Sequence, residues 1–319
     1  MPKVASKNEN AARVETALVD GREITIIRSG ASGTVRLEEL HLVKDTVVYG
    51  NLEVDGGIDG ENSSLVVHGD MYAGNIYVAE AIVEGNVFCE GLAEARGEFY
   101  AYGNISAWLL KAREISGRNL NANVGIRALW NVHANGNITT DTPPMLKSIV
   151  SEYGDIIATG NLESNGDVLA AKGIIKAKSI TVKEGAVLAD WIYSDGDIIV
   201  KGVLESYGGI YSAGNVSAAR DIVAGMDIVA QNISAETVLV GEKNKEQGYI
   251  EAEGIEAGLV VAKTISTPRI KAADVFCDGM LRGSIQPTGS FERYFAKDIE
   301  EQYKILEEWY NTLKSLERD

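Results

Sequence analysis

The chain has 319 residues and a formal net charge of −16, which sets it against nucleic acid and anionic membranes, since both select basic patches. Its 45% apolar content is enough for a core, and 34 Gly against 5 Pro suit tight repeated corners better than disorder. With two Cys and 3 His there is neither a disulfide framework nor a metal-type spacing. No apolar run reads as a signal peptide or a membrane span, so the expected location is cytoplasmic; export without a cleaved leader, as in a phage particle, is the other option.

Residues 1–46 read as a polar tail followed by capping strands. Glu23-Ile-Thr-Ile-Ile comes after a turn at Asp20-Gly21, and Thr34 to Val43 carries the apolar residues of a strand that starts or caps the repeat region. Repeats begin near Val47 and fill 47–140, with Gly50-Asn-Leu-Glu-Val, Gly74-Asn-Ile-Tyr-Val and Gly103-Asn-Ile-Ser-Ala among the units. Residues 141–153 break the pattern. Asp141-Thr-Pro-Pro has the form of a helix start, so a protruding loop or short helix is expected, or a plain insertion at a corner.

The regular block is 154–285. Gly154-Asp-Ile-Ile-Ala-Thr, Gly160-Asn-Leu-Glu-Ser-Asn, Gly166-Asp-Val-Leu-Ala-Ala, Gly196-Asp-Ile-Ile-Val-Lys and Gly214-Asn-Val-Ser-Ala-Ala align in sixes. The third and fifth positions are two apart, so in a strand they share a face, one large and one small. Gly-Asp or Gly-Asn falls where the backbone bends, and the tolerance of these residues for positive φ suggests itself as the reason. The chain is therefore expected to be all-β: a single-stranded β-solenoid with about three six-residue units per coil.

Stepping by 18 places Ile157, Ile175, Tyr193, Tyr211 and Val229 on one outer face, although the slip near Lys172 also allows Ile175 to point inward. A second face carries Leu169, Leu188, Glu205, Val223 and Leu239, and a third, more polar one carries Glu163, Thr181, Ile199, Ser217 and Ser234. The two apolar stripes are candidate assembly interfaces, because contiguous exposed apolar patches mark interaction sites; the alternative is that β surfaces simply favour such residues. Past Pro287, the period changes. Residues 290–319 read as an amphipathic α-helix with Leu306, Trp309, Leu313 and Leu316 on its apolar stripe, capping the solenoid or pairing with another helix.

Chemistry-bearing constellations are not apparent. His41, His68 and His133 are scattered, and no nucleophile elbow or P-loop occurs. Cys89 and Cys277 fall at inward small positions. Corner Asp residues suggest calcium, but Asn51, Asn75, Asn104, Asn161 and Asn215 fill the same place, as a turn accepts and a calcium ladder does not. No catalytic, cofactor or metal residues are assigned.

The runs Gly154-Asp-Ile-Ile-Ala, Gly160-Asn-Leu-Glu-Ser, Gly196-Asp-Ile-Ile-Val and Gly214-Asn-Val-Ser-Ala resemble the repeat phrases of the bactofilins, polymer-forming bacterial cytoskeletal proteins. The resemblance covers about 47–285 and rests on the repeat pattern. It implies a right-handed triangular β-helix that polymerises end to end without nucleotide. The bactofilin core is shorter and flanked by disordered tails, whereas this chain continues into the 290–319 segment. The expected function is a non-enzymatic scaffold whose partner is itself or other scaffold proteins. A β-helical shaft of a phage tail or cell surface that recognises glycan through Tyr77, Tyr100, Tyr102 and Trp108 is the alternative, and a β-helix carbohydrate-active enzyme the third option.

Overall fold

A computed structural model describes residues 12–31, 33–143, 146–241, 248–277 and 279–287. The 290–319 segment, with Leu306, Trp309, Leu313 and Leu316, lies outside the described residues. Those described form strands and no helix. The first two strands, β1 (Arg13–Val19) and β2 (Arg22–Arg28), are an antiparallel hairpin. Its turn, Asp20-Gly21, has φ of 49° and 78°, the double positive-φ geometry that suits an Asp-Gly hairpin.

From β2 onward the pairing is parallel. β2 pairs with Thr46–Tyr49, and Thr34–Leu37 pairs with Asn51–Val54. The coils therefore begin at Arg22, not near Val47; the first coil lacks the Gly-Asx phrase that marks the others. About 14 coils are stacked as a β-solenoid. Each strand pairs with the strand one coil on, which generates three ladders.

The core lies between the ladders and is built from aligned side chains. Ile156, Ile175, Ile192, Ile210, Ile228, Ile250 and Ile265 form one continuous inner row, all fully buried. Val168, Val187, Leu204, Ile222, Val238 and Val260 form a second. Each such side chain contributes about 1.5–3 kcal/mol of burial. Stacking is thus what stabilises the chain, because no coil encloses its own apolar row.

Corners are held by Asn and Asp. Asn51, Asp70, Asn86, Asn104, Asn119, Asn137 and Asn161 occupy one corner in successive coils. The Oδ1 of Asn51 accepts the Asp70 N–H at 2.9 Å, that of Asp70 the Asn86 N–H at 2.7 Å, and that of Asn137 the Asn161 N–H at 2.8 Å. The glycine that precedes each of them except Asn119, which follows Arg118, is explained by space and, Gly50 aside, not by φ. Among these corner glycines only Gly50 has positive φ, and the corner Asn and Asp have none. A Cβ at Gly69 would stand 2.6 Å from Asn51 Oδ1, and one at Gly214 2.5 Å from Asp197 Oδ1.

Of residues 141–153, those described form no helix, and the coil that contains them is enlarged. Lys147–Ser151 is a strand of the stack, paired with coils on both sides. Asn137 and Asn161 lie 24 residues apart instead of the usual 18, yet keep their hydrogen bond. The corner is sealed by buried hydroxyls: Thr140 Oγ1 lies 2.8 Å from Ser148 Oγ and donates to Ser164 Oγ at 3.0 Å, while Thr142 Oγ1 donates to the Val124 carbonyl at 2.7 Å.

Candidate functional site

The ladders fix which side chains face outward together. On the first face, Ile157 pairs with Lys176, then Tyr193, Tyr211 and Val229 continue in register. Ile175 is therefore not on this face: it is fully buried, and Lys176 takes the outward place. The coil from Ile157 to Lys176 is one residue longer than 18, and the extra residue falls at the corner near Lys172, where the pairing shifts between Ala170 and Ile174.

Val150, Leu169, Leu188, Glu205, Val223, Leu239, Val261 and Phe276 form the outward row of the second face. The same row reads Asp59, Tyr77, Glu94, Lys111 and Arg127 toward the N-terminus, so this face changes from charged to apolar near Val150. On the third face Glu163, Thr181, Ile199, Ser217 and Ser234 are in register. Ile157, Tyr193, Tyr211, Val229, Leu169, Leu188, Val223 and Leu239 are each half-buried, since their ladder neighbours flank them.

An aromatic cluster completes the first face. Tyr193 and Tyr211 stack with centroids 5.4 Å apart and planes 11° apart, and Trp191 lies nearly parallel to both, 6.4 and 6.0 Å away. Gly208 and Gly209 make room: a Cβ at Gly208 would enter the indole, and one at Gly209 would stand 2.8 Å from Tyr211 Cε2. The Tyr211 hydroxyl donates to Asp227 Oδ2 at 3.4 Å, and partial burial together with the Asp227 charge raises its pKa. Trp191 lies off the 18-residue step and so escapes it, although its two-residue spacing from Tyr193 puts both on one strand face.

Tyr77, Tyr100, Tyr102 and Trp108 do not form one platform. Tyr77 is in the second-face row, whereas Tyr100 belongs to the first and meets Tyr102 edge-on at 4.9 Å. Trp108 sits at the register shift between Ala107 and Leu109, paired with neither neighbouring coil. A different pair is in contact: Trp130 and Tyr153, 5.7 Å apart, with Lys172 Nζ 4.3 Å from the Tyr153 centroid.

Several titratable groups have structural partners. Cys89 is buried, and desolvation pushes its thiol up to about 11. Cys277 is half-buried against the core. His68 stacks on Tyr49 at 4.7 Å and meets Glu84 at 2.8 Å; Arg28 lies 4.4 Å from the Tyr49 centroid. His41 sits beside Glu39 and Asp59. The corner Asx oxygens accept N–H groups from the next coil, the role of a turn residue. No protein-family model, curated protein or solved structure matches the chain.

Proposed function

We propose that the protein is a non-catalytic scaffold: a right-handed, triangular β-helix that associates with copies of itself or with other scaffold proteins in the cytoplasm. The observation that carries this reading is the continuous parallel ladder from β2 to the terminal strand Leu281–Pro287. Among the described residues that strand pairs on one side only. An unpaired edge offers backbone donors and acceptors to another chain. The two outward apolar rows supply the side-to-side component, with Tyr193, Tyr211 and Val229 on one face and Leu169, Leu188, Val223 and Leu239 on another.

The test is negative-stain electron microscopy of the full chain beside a 1–288 truncation. Filaments or lattices from the full chain are expected. Filaments only after truncation support assembly and make 289–319 its brake. Discrete single particles in both preparations overturn the reading.

A further inference from the structure

We propose that the corner carrying Trp130 and Tyr153 is a binding site for an acidic saccharide. The site is independent of assembly, because a single copy contains all of it.

Trp130 and Tyr153 are 44% and 46% exposed, so both rings are open to solvent. They occupy one corner in consecutive coils, with planes inclined at 44°. Such rings present flat apolar surface at their outer parts, which suits the C–H face of a pyranose ring. Lys172 reaches Tyr153 from the next coil and holds its ammonium over one face of that ring, 4.3 Å from the centroid. Arg113 stands one coil before Trp130 on the same corner, its carbonyl accepting the Trp130 N–H at 2.8 Å.

Two further cations border the corner. Arg127 lies on the second face, in register with Lys111 and Val150, and Lys176 on the first, in register with Ile157. Arg113, Arg127 and Lys176 are exposed and form no ion pair among the described residues, whereas Lys111 is committed to Glu94 at 2.7 Å. A concentration of unpaired cations is unusual on a chain of net charge −16. The acids Glu114, Glu152 and Asp155 share these coils. That mixture suits a hydroxylated anion: guanidinium and ammonium groups take the carboxylate, and carboxylates accept from hydroxyls. A nucleic acid strand would meet those same carboxylates with its phosphates.

The experiment is native affinity electrophoresis of the full chain in gels containing polygalacturonate, with hydroxyethyl cellulose as the neutral control. Retardation by polygalacturonate alone is expected, reduced about tenfold in apparent affinity by Trp130→Ala and by Lys172→Gln, each change corresponding to about 1.4 kcal/mol. Circular dichroism of both variants checks that they fold, and Tyr72→Ala, on another face, serves as the unaffected control. No retardation by polygalacturonate, equal retardation by the neutral polymer, or variants that bind like the parent would overturn the site. Displacement by oligothymidylate at equal or lower concentration would overturn the saccharide in favour of nucleic acid.

Discussion

Asn119 and Asn137 stand one coil apart, and Asn119 Oδ1 accepts the Asn137 backbone N–H at 2.7 Å. Asn119 in turn donates its Nδ2 to Asn104 Oδ1 at 2.6 Å. One side chain thereby ties three coils at a corner between strands, beside the backbone bonds from the Ile105 N–H to the Asn119 carbonyl and from the Leu120 N–H to the Asn137 carbonyl. Asn119→Ala removes both bonds at a solvent-facing corner, so a loss of about 1 kcal/mol is expected. Asn119→Asp keeps the acceptor for Asn137 but sets a carboxylate oxygen against Asn104 Oδ1, so it is expected to lose at least as much. Urea unfolding midpoints measure both, and unchanged midpoints would contradict the role of the side chain in tying the coils.

Crowding at the corner glycines is graded. At Gly160 a Cβ would collide with Asn137 Oδ1 and stand 2.9 Å from the Gly136 carbonyl carbon. At Gly196 the nearest atom, the Lys178 carbonyl oxygen, is 3.0 Å away. Neither residue has positive φ. Gly160→Ala is therefore expected to lower the melting temperature clearly more than Gly196→Ala. If φ tolerance were the controlling factor, the two would behave alike.

Cys89 gives a pH signature. Its thiol ordinarily titrates near 9.0 and is pushed up to about 11 by burial. The folded state thus favours the protonated thiol. That contribution is fully present below the unfolded pKa and is lost as pH rises toward the folded one, between about 9 and 11. Cys89→Ala removes it, so the variant is expected to lose less stability than the parent over that window. Thermal unfolding at stepped pH measures the difference, and parallel curves would rule the contribution out. Native protein is also expected to leave Cys89 unmodified by a thiol reagent at neutral pH.

The apolar row of the first face predicts a separation of folding from association. Tyr211→Lys with Val229→Lys removes the Tyr193 stack, an effect of about 0.5–1.5 kcal/mol, and leaves the inner rows untouched. Folded protein with smaller particles by light scattering is expected. Unchanged particle size would remove this face from assembly.

Much of this surface is legible in the sequence. From Tyr193 to Val229 the 18-residue step places Tyr193, Tyr211 and Val229 on one observed row, and Glu205 and Val223 on another, because those coils keep a constant length. Ser234 and Leu239 reach their rows by shorter steps of 17 and 16 residues. The 18-residue step fails at Ile175, where one extra residue near Lys172 shifts the side chain across the sheet. It also misses the coil beginning at Arg22, since β2 is placed by its hairpin and not by a Gly-Asx corner. The pairing of Trp130 with Tyr153 is hidden by the enlarged coil, which separates them by 23 residues in sequence while the ladder makes them neighbours. The polar plug of Thr140, Thr142 and Ser148 carries no periodic signal, because it exists only where the repeat is broken.

The enlarged coil between Asn137 and Asn161 separates contour length from height. The Asn137 to Asn161 step uses 24 residues, the Asn86 to Asn104 step 18, and both advance the ladder by a single rung. Each rung is about 4.8 Å whatever the length of its corners. The number of coils, about 14, then sets an end-to-end rise of about 65 Å. The molecule behaves as a ruler: lengthening a corner decorates the side of the shaft, and only adding or deleting a whole coil changes the distance it spans.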